Sequence, residues 1–157
     1  MEHTDDERWM DRALELAREA ATRGEVPVGA IVVRQGVVVG EGMNLRESAQ
    51  DPTAHAELIA VRAAAARLRS WRLDDCEVFV TLEPCTMCAG MLVAARVRRV
   101  VYGALDPKAG GTESLFNIGS DPRLNHRFEI VSGVRADACS AVLHDFFAEI
   151  RRRRKGR

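Results

Sequence analysis

In this chain of 157 residues, His55, Cys85 and Cys88 are the side chains whose types and spacing suit metal chemistry. One imidazole and two thiols are zinc donors, and no fourth donor follows at the spacing of a zinc finger. Structural zinc sites close their tetrahedron with four protein ligands, whereas three leave a position open, so the set predicts a catalytic metal. Glu57, two residues after the histidine, is left outside the ligand set. A carboxylate near such a metal can move protons to and from a coordinated water, serving as general acid and base in a hydrolytic reaction. The plain alternative is a helix-start histidine with incidental cysteines. All four residues falling at motif spacing argues against it.

Those residues need elements to hold them. Pro52-Thr53 precedes an alanine-rich run over 54–68, and Pro84 suits the first turn of a second helix, so both parts of the ligand set fall where a helix should begin. Two helix N-termini then face one metal, their partial positive charge favours thiolate over thiol, and the i, i+3 spacing of Cys85 and Cys88 turns both sulfurs to one face. Residues two apart on a regular helix point to different sides, so Glu57 is expected to reach the site from near a first turn.

Periodicity predicts the remaining elements. Trp9, Ala13, Leu16, Ala17 and Ala20 form the apolar stripe of a helix over 5–23 that Gly24 ends. Residues 28–42 read as a hairpin turned at Gln35-Gly36, and 44–52 as a polar irregular stretch. A helix is expected over 53–69, a strand over 77–82, a helix over 85–95 and a strand over 97–102. Residues 107–123 read as Gly-rich loop with a short turn at 114–117, followed by an edge strand over 128–132 and a terminal helix over 137–153. Strands separated by helices at this spacing need crossover connections, so 77–82 and 97–102 should be parallel within a mixed sheet of α/β class.

Composition bounds the answer separately. A hydrophobic content of 46% with 29% charged residues is ordinary for a soluble globular protein, and the length suits a single domain over 1–157. No apolar run approaches the roughly 18 residues of a membrane span. The acidic segment 1–7 stands where a signal peptide would be basic, so a cytoplasmic protein is expected. Four cysteines make no disulfide scaffold, and Cys76 and Cys139 read as buried free thiols. The net charge of zero conceals a basic tail: residues 151–157 hold six basic residues and no acid, leaving the body at −6. Such a run is either a solvated terminus or a phosphate-binding tail.

His-Ala-Glu followed by Pro-Cys-x-x-Cys resembles the zinc nucleobase deaminase signature. The flanking segments "EVPVGAIVV", "GEGMN", "DPTAHAE", "VTLEPCTMCAGM", "VVYGALDPKAG", "LNHRFEIVSGV" and "HDFF" resemble, in the same order, those of the bacterial tRNA-specific adenosine deaminases. The resemblance runs from about residue 9 to 150. The metal motif alone is shared with deaminases of cytidine, guanine and deoxycytidylate, so the finer likeness rests on the flanks.

The resemblance implies a cytidine-deaminase-like three-layer α/β/α sandwich with a five-stranded mixed sheet and one zinc per subunit. It implies hydrolysis of adenosine to inosine at the wobble position of tRNA, with the anticodon stem-loop as partner and a homodimer as the assembly. A deaminase of a free base or nucleotide is the alternative, and a silent RNA-binding subunit the reading from another class; retention of Glu57 argues against silence. The resemblance also gives substrate contacts to Asn44, Asp106, Lys108, Asn125 and Phe146. Four of them have an ordinary reading too, as turn residues for Asn44, Asp106 and Lys108 and a core aromatic for Phe146. Ala21 and Met43 stand where many relatives carry tryptophan.

Overall fold

Alternation along the central strands sends successive side chains into two different cores. In the computed structural model, which describes residues 4–156, five strands form one sheet in the order β2-β1-β3-β4-β5. Residues 1–3 of the acidic N-terminal segment and residue 157 of the basic tail lie outside the described residues. The strands are β1 (Gly29–Arg34), β2 (Val37–Met43), β3 (Cys76–Leu82), β4 (Arg99–Ala104) and β5 (Glu129–Val131). The helices are α1 (Asp5–Thr22), α2 (Arg46–Ala49), α3 (Ala56–Leu68), α4 (Thr86–Ala95) and α5 (Ala136–Lys155). Ala30, Val32, Val78, Val80, Val100 and Tyr102 pack with α3 and α4. Ile31, Val33, Phe79 and Val101 face the other way, onto α1 and α5. The result is the three-layer sandwich with a five-stranded mixed sheet. Burying a large apolar side chain stabilises by about 1.5–3 kcal/mol, so these layers hold the fold more than its exposed ion pairs do.

The topology decides where a site can form. β1 runs antiparallel to both β2 and β3, while β4 and β5 run parallel to β3. Hence β2, β3 and β4 all end at one edge of the sheet, and the chain enters β1 at that same edge. Ligands in open α/β sheets bind at the carboxyl ends of the strands. The segments gathered here are 26–28, 44–55, 83–85 and 105–117.

β2 and α3 are in backbone contact. A Cβ on Gly40 would lie 2.2 Å from the Ala60 carbonyl oxygen, and one on Gly42 2.4 Å from that of Ala56. The inner face of α3 is correspondingly small, with Ala56, Ala60 and Ala64 wholly buried. The alanine run and the Gly-x-Gly of β2 are thus two halves of one packing solution.

Local differences from expectation have local causes. α3 begins at Ala56 and not near 53, because the Asp51 carboxylate accepts from both the Thr53 N–H (2.8 Å) and hydroxyl (2.7 Å) and keeps that stretch in a turn. The polar stretch 44–52 contains the one-turn helix α2, whose Glu47 and Ser48 N–H groups donate to Glu25 from far back in the chain. β4 starts two residues late, since Val97 and Arg98 bond back to Leu92 and Cys76 in the connection. The 107–123 segment is loop, with its single 3₁₀ turn at Ile118–Ser120. Cys76 and Cys139 are buried free thiols.

Gly42→Ala should drive β2 and the first turn of α3 apart. The expected loss is about 1–3 kcal/mol, seen as a lower urea midpoint at unchanged slope, together with weaker zinc binding because His55 immediately precedes Ala56. Gly90→Ala, on exposed α4 surface with nothing within 4 Å of the added carbon, is the control and should be neutral or stabilising. A wild-type midpoint and affinity in Gly42→Ala would show that the β2–α3 spacing does not place His55.

Candidate metal centre

His55 is the N-cap residue of α3 and Cys85 the N-cap residue of α4, both with extended backbone, and Cys88 lies in the first turn of α4. Pro84 therefore precedes the cap and is outside the first turn where the sequence suggested it. The extended conformation at His55 (φ −82°, ψ 152°) resolves the spacing problem posed by Glu57. The histidine leaves the chain before helical geometry begins, so residues two apart can serve the same point.

His55 Nδ1 lies 3.6 Å from Cys85 Sγ and 3.6 Å from Cys88 Sγ, and the three donor atoms fall within 4.8 Å of one another. Zinc bonds of about 2.0–2.1 Å to nitrogen and 2.3 Å to sulfur at a tetrahedral angle require an N···S separation of about 3.6 Å. The donors are thus at the spacing, and of the types, that zinc takes.

Protonation in this cluster is shared. The Cys85 thiol is pulled down to about 4, first by the hydrogen bond from Cys88 and then by His55. The Cys88 N–H in the first turn of α4 lowers it further, in the direction a helix N-terminus acts. Cys88, the donor in that pair and buried, is pushed up. His55 is raised by its bond to Cys85. Metal ligands must be deprotonated, so cation binding here releases a proton.

Glu57 is 4% exposed, and burial raises its pKa; the Cys88 side chain is a hydrogen-bonding neighbour. Burial thus moves the Glu57 carboxyl toward the range in which general acid–base work near neutral pH is done. The cleft in front measures about 200 Å³. Val26, Val28 and Leu82 supply apolar walls, and His55, Glu57, Cys85 and Asp106 supply polar ones. This is below the roughly 300–1,000 Å³ of sites for drug-sized ligands and suits one planar ring.

The other expected residues separate. Asp106 lines the cleft, its Oδ1 accepting from the N–H groups of Lys108 and Ala109. Asn44 lies behind the wall: its Nδ2 donates to the Val26 carbonyl (3.1 Å) and its Oδ1 accepts from the Arg46 N–H (3.2 Å), tying together two cleft-lining residues. Lys108 is exposed and does not line the cleft. Asn125, exposed, accepts from Arg96 at 2.8 Å, and Phe146, half-buried on α5, packs edge-on to Phe147. Sequence reasoning missed Arg46 and Glu83, both at the cleft. Glu83 carried one signal, an acid closing an apolar strand just before Pro84-Cys85; Arg46 carried none.

Residues 3–104 match the family model described as the cytidine and deoxycytidylate deaminase zinc-binding region. A tRNA-specific adenosine deaminase of Bacillus subtilis (strain 168) is 44% identical over 152 residues, covering 97% of this chain and 94% of the relative. A structure from studies of A-to-I editing by tRNA:A34 deaminases at the wobble position of transfer RNA is similar, with a TM-score of 0.84 at 41% identity. The match covers 87% of this chain and 99% of that one. A guanine deaminase from Nitrosomonas europaea is more distant in sequence, with a TM-score of 0.78 at 26% identity over 94% and 87% of the two chains.

The depressed Cys85 thiol has a readable consequence. An ordinary thiol near 8.5 gains reactivity steeply from pH 6 to 9, whereas a group titrating at about 4 is already thiolate across that range. In chelator-treated protein, iodoacetamide should modify Cys85 at a rate nearly independent of pH, with Cys76 and Cys139 unreactive. Added zinc should suppress the labelling, as followed by peptide mass spectrometry. A labelling rate that climbs about tenfold per pH unit would overturn the thiolate assignment.

Proposed function

The chain belongs to the zinc-binding cytidine and deoxycytidylate deaminase family, and we propose that within it this protein is a tRNA adenosine deaminase. It converts adenosine at the first anticodon position to inosine and uses one zinc per subunit, held by His55, Cys85 and Cys88. The observation carrying this reading is the extent of likeness: 44% identity to a tRNA-specific adenosine deaminase over 97% of the chain, against 26% to the guanine deaminase.

Zinc at these three donors supplies a water-derived nucleophile at neutral pH. The chain's own residues do the rest. The apolar walls at Val26, Val28 and Leu82 seat the base and exclude bulk water. Glu57 takes one proton from the water that adds to C6 of adenine and passes it to ring nitrogen N1; it then takes the second proton from the new C6 hydroxyl and delivers it to the amino group, so that the C6–N bond breaks, ammonia leaves and the inosine carbonyl forms. Its buried position suits it to both holding and releasing that proton. Asn44, Asp106, Lys108, Asn125 and Phe146 are the proposed substrate contacts; Asp106 stands at the cleft itself.

We read residues 1–157 as one deaminase domain. A homodimer is the proposed assembly, and Leu105, Leu115 and Phe116, each more than half exposed, are apolar surface that an assembly would cover. No helix among the described residues is long and apolar enough to cross a membrane. A tRNA substrate makes the cytoplasm the proposed compartment.

Incubation with an anticodon stem-loop should produce inosine and ammonia, and free guanine, cytidine and adenosine should be left unchanged, since contacts to the loop offset the cost of unstacking the base. Glu57→Gln should keep its zinc and lose turnover by at least about 100-fold. Rapid ammonia release from a free base would instead favour a base or nucleotide deaminase, and zinc loss in Glu57→Gln would make it a ligand.

The basic tail has its own test. α5 continues through Lys155 with Arg151 to Lys155 exposed, and Arg152 and Arg153 pair with Glu149 on the same helix. With the body at −6, this is a place where an RNA backbone meets positive charge. Deleting residues 151–157 should weaken tRNA binding and reduce the slope of log affinity against log salt by about 0.7–0.9 per lost phosphate contact, with turnover at saturating tRNA nearly unchanged. An unaltered slope would make the tail a solvated terminus.

A further inference from the structure

Glu83 directly follows β3, two residues before Cys85, and is 2% exposed. Its carboxylate is met by four backbone N–H groups and two hydroxyls, all from one segment of the chain. Oε1 accepts from the Asp106 N–H (3.0 Å) and the Ser114 hydroxyl. Oε2 accepts from the Glu113 and Ser114 N–H groups (2.9 Å each) and from the Thr112 N–H and hydroxyl (3.3 Å each). A Cβ on Gly110 would fall 2.3 Å from Oε2, so the segment wraps directly over the carboxylate. It also lies against the metal-ligand turn itself: the Gly111 N–H donates to the Pro84 carbonyl at 2.8 Å, and Gly110 pairs with Cys85.

The segment so held carries Asp106 and Ala109, which line the same cleft as His55 and Glu57. Without the buried anion, the N–H groups of residues 112–114 would converge on an apolar hole, which costs more than leaving them in solvent. The wall therefore has one low-energy place, and Glu83 sets it relative to Cys85.

We propose that Glu83 is a positioning residue for the deamination: it locks the 106–114 wall onto the Cys85 turn so that a base entering the cleft is in register with Glu57. This rests on the deaminase reading. Although Glu83 borders the cleft, both of its carboxylate oxygens are engaged by the donors of the 106–114 segment, so its effect falls on the population of correctly shaped clefts and hence on KM more than on turnover by Glu57.

Glu83→Gln is nearly isosteric but offers one acceptor and one donor, so its amide must face a cluster of donors on one side or the other. The expected result on the stem-loop is a KM raised about tenfold with kcat within about threefold, at unchanged zinc content. Amide hydrogen exchange should show lost protection at residues 106 and 112–114, with β3, β4 and α4 as in the wild type. Glu83→Asp, which keeps both acceptors one methylene short, should fall between. Ser114→Ala removes one hydroxyl while leaving Glu83 and the sheet intact; it should raise KM about threefold with loss of protection confined to the same segment, and it decides the matter should Glu83→Gln not fold. Wild-type exchange and KM in Glu83→Gln, or in Ser114→Ala if that is the variant in hand, would overturn the proposal. So would loss of zinc with deprotection of α4, since Glu83 would then support the ligand turn alone. An inactive wild-type chain with the loop deprotected in Glu83→Gln would overturn the deaminase reading itself and is distinguishable from both.

Discussion

The contact between the backbones of β2 and α3 is the constraint on which the site depends. Helix and strand normally keep a side chain's width between them, and here Gly40 and Gly42 remove it. α3 is thereby seated deep enough for its first residues to reach the edge of the sheet where β3 delivers Cys85. A helix packed one methyl group higher would carry His55 and Glu57 with it, away from the sulfurs of α4. The need for small residues on both partners explains why an alanine-rich helix stands opposite a Gly-x-Gly strand.

Three buried glutamates show how the same side chain is given different work. Glu25, Glu57 and Glu83 are 1%, 4% and 2% exposed. Burial pushes all three toward the neutral form. At Glu25 the donors of Ser48 and Glu47 outweigh that push, and at Glu83 those of Ser114, Asp106 and Glu113 do, so both sit below the usual carboxylate range. These two are fixed anions that order loops. Glu57 has too few donors to offset its burial, and its pKa is raised. Of the three it alone is shifted toward the neutral form, and it is the one beside the metal donors. The distinction lies in the hydrogen-bond partners, since depth is common to all three.

The parts legible in the sequence were those fixed by neighbours in the chain. Gln35-Gly36, both left-handed in the structure, announced the hairpin. The His-x-Glu and Cys-x-x-Cys spacings announced the centre, because a cap and a first turn are local objects. What stayed hidden depended on partners far along the chain. α2 exists because Glu25 caps it from some twenty residues upstream, and no window around 44–52 contains that fact. α3 began later than its alanine content suggested because Asp51 captured Thr53. Glu83 reads as the polar end of a strand until residues 106–114 fold over it. Asn44 and Asp106 were found by resemblance, and the structure gives Asn44 a bracing role that resemblance did not supply.

Selectivity follows from the same geometry. The matched family model describes a zinc-binding region, and a guanine deaminase at 26% identity has a similar fold. A cleft of about 200 Å³ receives one ring and leaves the remainder of a tRNA outside. The base alone gives little surface to bury, so it cannot supply both its own desolvation and the unstacking of an anticodon loop. The balance has to come from the rim, from segments 44–55 and 105–117 that two buried carboxylates hold in place, and from positive charge set against a body of −6. On the proposed reading, free bases are refused for want of those contacts and not by exclusion from the cleft, which places discrimination in the loops and leaves the metal centre free to serve the reaction alone.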